Sequence, residues 1–181
     1  MPADTPSQVV YVAQSDLHAT DDPSVVISAV LGSCIATCLI DERNKIGGMN
    51  HLLLPERGAN DKSIDRFGVN LMELLVNEML KKGANRKYFV AKVFGGANIS
   101  LGGSTIGARN AAFVKDFLAQ ENIPCVAESL GGTRARRIRF TPTTGRISQL
   151  LLDPTDTRIE LATLPASTPP ADPSPEPEVW G

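Results

Sequence analysis

The sequence predicts an α/β (α+β) domain: a β-rich core of about seven strands with two main helices packed on it. Two observations carry this. Short β-branched runs recur along the chain, separated by clusters of Gly, Pro, Asp and Asn. Two longer stretches, 65–83 and 106–120, place apolar residues three and four apart instead.

The elements follow in order. Residues 9–13 and 25–30 read as strands. Residues 35–40 and 46–54 flank the polar bend Asp41-Glu42-Arg43-Asn44-Lys45 and read as a β-hairpin. Within 65–83, Leu71, Leu74, Leu75 and Met79 form an apolar stripe that only Glu78 interrupts, and Gly83 after Lys81 and Lys82 is the stop. A strand at 87–94 ends at Gly95-Gly96. The second helix, 106–120, carries Ala112, Phe113, Phe117 and Leu118 on one side. Strands at 125–130, 136–141 and 147–152 complete the core.

The chain has 181 residues, about one domain's worth. Residues 1–7 read as a flexible N-terminus, 8–163 as the folded domain, and 164–181 as a Pro-rich, acidic, disordered tail. Six of the 13 prolines lie in that tail, and it contains no Lys or Arg. Trp180 is its one aromatic residue and reads as part of a loose terminus. Eighteen basic against 20 acidic residues leave a net charge of -2, which argues against a nucleic-acid binder needing a basic face. No apolar run approaches the roughly 20 residues that span a bilayer, and the first residues lack signal-peptide order, so membrane insertion is not expected. Three cysteines, an odd number, fit free thiols in a reducing cytoplasm.

One thiol and one imidazole stand out. If the hairpin loop is Glu42-Arg43, Cys34 lies directly opposite His51; a shifted turn makes them diagonal neighbours or moves His51 to the other face. An imidazolium beside a thiol favours the thiolate, the nucleophile of acyl transfer. Gly32 and Ser33 form a small-residue turn before Cys34, whose N–H groups are placed to meet a developing oxyanion. The group that orients the imidazole is left open between Ser28, Asn50 and the backbone. Zinc is a weaker reading of Cys34, Cys38 and His51, because only Cys125 remains as a thiol ligand. Cys38 and Cys125 read as core residues, and His18 as a solvated loop residue. Arg134, Arg136, Arg137 and Arg139 alternate partly at strand spacing, as a solvated strand face does. The glycine pairs do not form a phosphate loop, since no GxxxxGK[ST] occurs.

These residues resemble a known family. Leu31-Gly32-Ser33-Cys34, then Gly47-Gly48-Met49-Asn50-His51 and Leu54-Pro55, are similar to the signature of the chemoreceptor glutamine deamidase CheD family. Phe94-Gly95-Gly96-Ala97, Ile106-Gly107-Ala108-Arg109-Asn110 and Leu130-Gly131-Gly132 follow that pattern in order. The resemblance covers about residues 8–155 and implies that 8–163 is a deamidase domain similar to cysteine deamidase domains of some bacterial toxins. It implies a cytoplasmic, cofactor-free and metal-free enzyme that hydrolyses glutamine side-chain amides on methyl-accepting chemotaxis receptors. Cys34 matches the nucleophile, His51 the general base, and Ser28 falls where the family places a Thr. Gly32, Ser33 and Asn50 become the expected substrate and oxyanion contacts. The resemblance also implies a regulatory partner, a CheC-type phosphatase. Two other readings stand beside it. One is a non-catalytic adaptor docking on such a phosphatase or the receptor array. The other is a thiol redox sensor using Cys34 and Cys38, which lie too far apart on one strand to bridge undistorted.

Overall fold

The computed structural model describes residues 8–55, 62–99, 105–153 and 178–180. In chain order the elements are β1 (Gln8–Tyr11), β2 (Leu17–Thr20), β3 (Val25–Leu31), β4 (Ile35–Asp41), β5 (Ile46–Leu52), α1 (Lys62–Lys81), a 3-10 turn (Arg86–Tyr88), β6 (Phe89–Gly95), α2 (Ile106–Gln120), β7 (Cys125–Leu130), β8 (Arg136–Thr141), β9 (Arg146–Leu151) and β10 (Glu178–Trp180). They form two five-stranded sheets, ordered β1-β3-β8-β9-β10 and β2-β5-β4-β6-β7. The α+β reading with two main helices holds, with ten strands in place of about seven.

Alternation along β4 sets the layers. Cys34, Ala36, Cys38 and Ile40 pack with Ile27, Ala29, Leu31 and Phe140 of the other sheet, forming the inter-sheet core. Ile35 and Leu39 pack on the opposite face against Leu71, Leu75 and Met79 of α1 and Val114 and Leu118 of α2. All seven residues of β4 are therefore buried, and a strand covered on both faces reads as a continuous apolar run. The buried stripe of α1 runs Ile64, Gly68, Leu71, Met72, Leu75, Val76, Met79. Leu74, expected on that stripe, is 42% exposed. No helix among the described residues is long and apolar enough to cross a membrane.

The hairpin register differs from expectation, and the cause is local. The Asp41 carboxylate accepts from Asn44 N at 3.0 Å, Asn44 Nδ2 at 2.7 Å and Asn85 N at 2.8 Å. Those bonds close a four-residue bend over 42–45, with Lys45 at φ 54°, instead of a two-residue turn. Asp41 thus pairs with Ile46 and Ala36 with His51, so Cys34 does not face His51 directly.

Several short or edge features also differ. Residues 17–20 form an edge strand, placing His18 opposite Met49, where a loop was expected. Cys125 is exposed on edge strand β7, not in the core. Arg136 is buried, its guanidinium bonded to the carbonyls of Ser129 and Gly131, so it is not part of a solvated face. The flexible N-terminus 1–7 and most of the tail expected disordered lie outside the described residues. The end of that tail is ordered: Glu178–Trp180 pairs antiparallel with β9. The Trp180 ring meets Phe94 edge-on at 5.3 Å and 71°. Its carbonyl lies 3.4 Å from Nζ of buried Lys92, which also donates to the Gly145 carbonyl at 2.9 Å.

Trp180 is the chain's single tryptophan, so its fluorescence reports β10 docking. Native emission is expected to lie to the blue of the unfolded chain. Trp180→Ala is expected to cost about 1–2 kcal/mol of stability through the lost ring pair and apolar contact. Urea unfolding followed by circular dichroism measures that cost.

Candidate active site

The chain changes sheets at Gly32-Ser33-Cys34, between the end of β3 and the start of β4. A sheet-changing turn cannot use ladder hydrogen bonds, so its polar groups need other partners. The Gly32 carbonyl accepts from Ala97 N at 2.9 Å, and the Cys34 carbonyl accepts from Gly96 N at 2.8 Å. The Ser33 carbonyl accepts from Nδ2 of Asn110 at 2.8 Å. The contact with residue 95 is tight enough to require glycine. At φ +115° a Cβ on Gly95 would stand 2.1 Å from the Cys34 oxygen.

His51 lies on β5, and its partner Ala36 follows Cys34 by two residues. Cys34, Ala36 and His51 therefore share one face, with Cys34 and His51 as diagonal neighbours. Such neighbours lie roughly 7–8 Å apart in a sheet, within reach of an imidazole. The loop after β1 grips His51 at three points. Nδ1 lies 2.9 Å from the Val12 carbonyl. Ser15 N donates to the His51 carbonyl at 2.8 Å, and His51 N donates to the Asp16 carbonyl at 3.1 Å. Ser15 sits at φ 69°, a left-handed conformation that turns the loop back onto β5. A carbonyl only accepts, so Nδ1 carries the proton and Nε2 keeps the lone pair.

The remaining expected site residues divide. Gly32 and Ser33 form the turn between the sheets that leads into Cys34. The Ser28 hydroxyl donates to the Ile138 carbonyl at 2.8 Å, and the ring-orienting acceptor is the Val12 carbonyl. Ser28 supports that carbonyl indirectly, since its backbone oxygen accepts from Val12 N at 3.0 Å. Asn50 is corrected outright. As the neighbour of His51 on a strand it faces the other way, toward α1. Its Oδ1 accepts from Thr37 N at 3.2 Å and its Nδ2 lies 3.2 Å from the Met72 sulfur, so it offers nothing to an oxyanion at Cys34. Cys38 lies four residues along the strand from Cys34, roughly 13 Å at strand rise, beyond disulfide reach. No group of three or more His, Cys, Asp or Glu side chains gathers among the described residues.

Beside the turn lies a hollow of about 440 Å³. Its lining includes Ser15, which holds His51, and Ser33, which precedes Cys34. Leu53, Leu54, Phe67 and Ile106 give it apolar walls. Sequence reasoning missed this lining. It kept the backbone among the candidates for orienting His51 without singling out Val12, and it read Asn110 at the start of the second helix as a cap or a partner for a neighbouring loop, which the bonds to Ser33 and Leu54 bear out.

Burial decides the charge state. It pushes the Cys34 thiol up to about 11, opposed only by its own backbone N–H. Burial also lowers His51 below the ordinary 6.5, and the bond to Val12 opposes that only in part. At neutral pH the resting pair is thiol and neutral imidazole, not the thiolate–imidazolium pair expected from adjacency. In this state His51 Nε2 has a lone pair that can accept a proton, and Cys34 would have to lose its proton to act as a nucleophile.

Fold and site together define a two-sheet α/β protein with a cysteine and a histidine on one sheet face beside an apolar hollow. Residues 53–149 match the family model described as CheD chemotactic sensory transduction. A probable chemoreceptor glutamine deamidase CheD of Cereibacter sphaeroides is 43% identical over 166 residues, covering 92% of this chain and 80% of that protein. Another, of Caulobacter vibrioides, is 49% identical over 145 residues, covering 79% and 78%. Among solved structures, the Neisseria meningitidis protein NMB0706, family-model DUF152, is similar with a TM-score of 0.46 at 14% identity, covering 79% of this chain and 74% of that one. The chain belongs to the CheD family.

The neutral resting pair has a measurable consequence. Alkylation of Cys34 by iodoacetamide is expected to be slow at pH 7 and to rise roughly tenfold per pH unit as the thiolate fraction grows. Mapping of the Cys34 peptide by mass spectrometry follows the rate. A rate already flat from pH 6 to 9 would show a preformed ion pair.

Proposed function

We propose that the protein is a protein-glutamine deamidase acting on methyl-accepting chemotaxis receptors in the cytoplasm through a Cys34 thioester. One observation supports this most: the Val12 carbonyl fixes the proton on Nδ1 of His51, leaving a basic Nε2 on the face that carries Cys34. The named activity of the CheD relatives supplies the substrate class.

The reaction runs in two halves. Nε2 takes the Cys34 proton as Sγ bonds to the side-chain carbonyl carbon of a receptor glutamine. Backbone N–H groups of the 32–34 turn hold the oxyanion of the tetrahedral adduct. The imidazolium then gives its proton to the departing nitrogen, because an amide anion is a very poor leaving group. The carbon–nitrogen bond breaks, ammonia departs and a thioester remains. Neutral His51 next removes a proton from water, whose oxygen adds to the thioester carbon. Collapse of that adduct expels Sγ, which His51 reprotonates, and glutamate is left on the receptor.

The apolar walls suit a glutamine presented on the surface of a receptor helix better than free glutamine, whose charged groups would lie against Leu53 and Phe67. A CheC-type phosphatase, the regulatory partner, would occupy the same hollow.

Receptor cytoplasmic fragments incubated with the protein are expected to gain about 1 Da at specific glutamines, as a thiol-dependent amide hydrolysis requires. Cys34→Ala abolishes the gain and keeps receptor binding. His51→Ala lowers the rate by about 10²–10⁴-fold, the usual range for a lost general base. Peptide mass spectrometry with an ammonia assay measures both. Binding without any mass gain in the wild type would leave the adaptor reading in its place.

A further inference from the structure

Asn110 lies on α2 with its side chain wholly buried, and it touches neither Cys34 Sγ nor the imidazole in any recorded bond. Both ends of its amide are used. Nδ2 donates to the Ser33 carbonyl at 2.8 Å, and Oδ1 accepts from Leu54 N at 3.1 Å. The first bond holds the nucleophile's turn; the second holds a residue of the hollow's wall. The orientation of the amide follows from chemistry, since a carbonyl needs the NH2 end and an N–H needs the oxygen end.

The bond to Ser33 determines more than the position of Ser33. A trans peptide is planar, with its C=O and N–H pointing in opposite directions. The Ser33 carbonyl and the Cys34 N–H belong to one peptide unit. Pulling that carbonyl toward Asn110 therefore turns the Cys34 N–H away from it. That N–H belongs to the same residue as the thiol, and it lowers the thiol against the rise that burial causes. An oxygen on a carbon newly bonded to that sulfur would come within reach of the same N–H. Rotation of this one peptide unit would remove the donor.

We infer that Asn110 is a positioning residue that aims the Cys34 N–H at the oxyanion and ties that peptide to the wall of the substrate hollow. This rests on the thioester reading of the site. Asp at 110 is the same size but sets a carboxylate oxygen against the Ser33 carbonyl, repelling the atom that Asn holds. The seat of α2 leaves little freedom for compensation. A Cβ on Gly107 would stand 2.3 Å from the Gly96 oxygen, so the helix start is pressed against the residue whose N–H holds the Cys34 carbonyl.

Two probes of one sulfur separate aiming from mere support. Acylation by p-nitrophenyl acetate builds an oxyanion and releases p-nitrophenolate in a burst; alkylation by iodoacetamide at the same sulfur builds none. Both are measured on the wild type, Asn110→Asp and Asn110→Ala, each with Cys125→Ser so that the exposed thiol is silent. The expected result is a burst rate lowered about 10²-fold in both variants, the scale of one lost oxyanion donor, with alkylation of Cys34 changed less than about threefold. Equal losses in both probes, loss in neither, a wild type without a burst, or two variants that do not fold each overturn the proposal. Receptor deamidation by the wild type is assayed in parallel. Its absence alongside the expected split would refute the deamidase reading while leaving the role of Asn110 intact.

Discussion

The bond between His51 Nδ1 and the Val12 carbonyl fixes what the site can do. A ring held by a carboxylate gains charge stabilisation when it becomes imidazolium; one held by a neutral carbonyl gains less. The proton still has a defined home on Nδ1, so Nε2 stays free to accept another. Val12 is in turn fixed by β3 through the Ser28 backbone oxygen, and Ser15 and Asp16 clamp the His51 backbone. Among the described residues the bonds that aim the imidazole come from the main chain, which no single side-chain substitution removes.

The cost of this arrangement appears in the thiol. With Cys34 raised to about 11 and His51 held below its ordinary 6.5, both by burial, moving the proton between them at rest is uphill. The ion pair is then a rare state of the free protein. In the proposed thioester reaction, proton transfer is therefore coupled to carbon–sulfur bond formation, which neutralises the sulfur as it loses its proton. Such a thiol resists alkylation and oxidation in the resting state, because the thiolate is the reactive form. The same burial has a stability consequence at acid pH. Below 6.5 the unfolded chain binds a proton at His51 that the folded chain does not, so stability falls as pH drops from there toward the depressed folded value.

What the sequence made legible was local. Strand and helix runs, the Cys-His pair and the small turn before Cys34 follow from residue type and period. What it hid depended on contacts between distant segments. Two oxygens of Asp41 bonding Asn44 and Asn85 lengthened the hairpin bend and moved the pairing from Cys34 to Ala36. Asn50 was attractive for its neighbour in sequence, yet strand alternation turns adjacent residues apart. Ser28 matched a family position, and its hydroxyl found a carbonyl on β8. The edge strand at 17–20, Leu-His-Ala-Thr, carries no β-branched run, and β10 lies in a Pro-rich stretch whose composition argues for disorder. Composition describes what a segment can bury alone; Trp180 buries itself only because Phe94 and Lys92 already offer a seat.

The site lies where the chain crosses between sheets, and that location has a physical reason. Inside a sheet every carbonyl and N–H is spent on the ladder, leaving no donors for a reaction. At a crossover the peptide units leave the ladder, and their carbonyls can be held from outside while their N–H groups turn inward. Here Ala97, Asn110 and Gly96 hold the carbonyls of Gly32, Ser33 and Cys34 in turn. Two separate segments, residues 96–97 and Asn110 of α2, therefore fix three successive peptide planes. Loss of any one contact frees one plane and leaves the others held, so the fold tolerates damage here better than the chemistry does. A turn secured this way is stiff without being part of regular structure, which is what a pre-organised donor set requires.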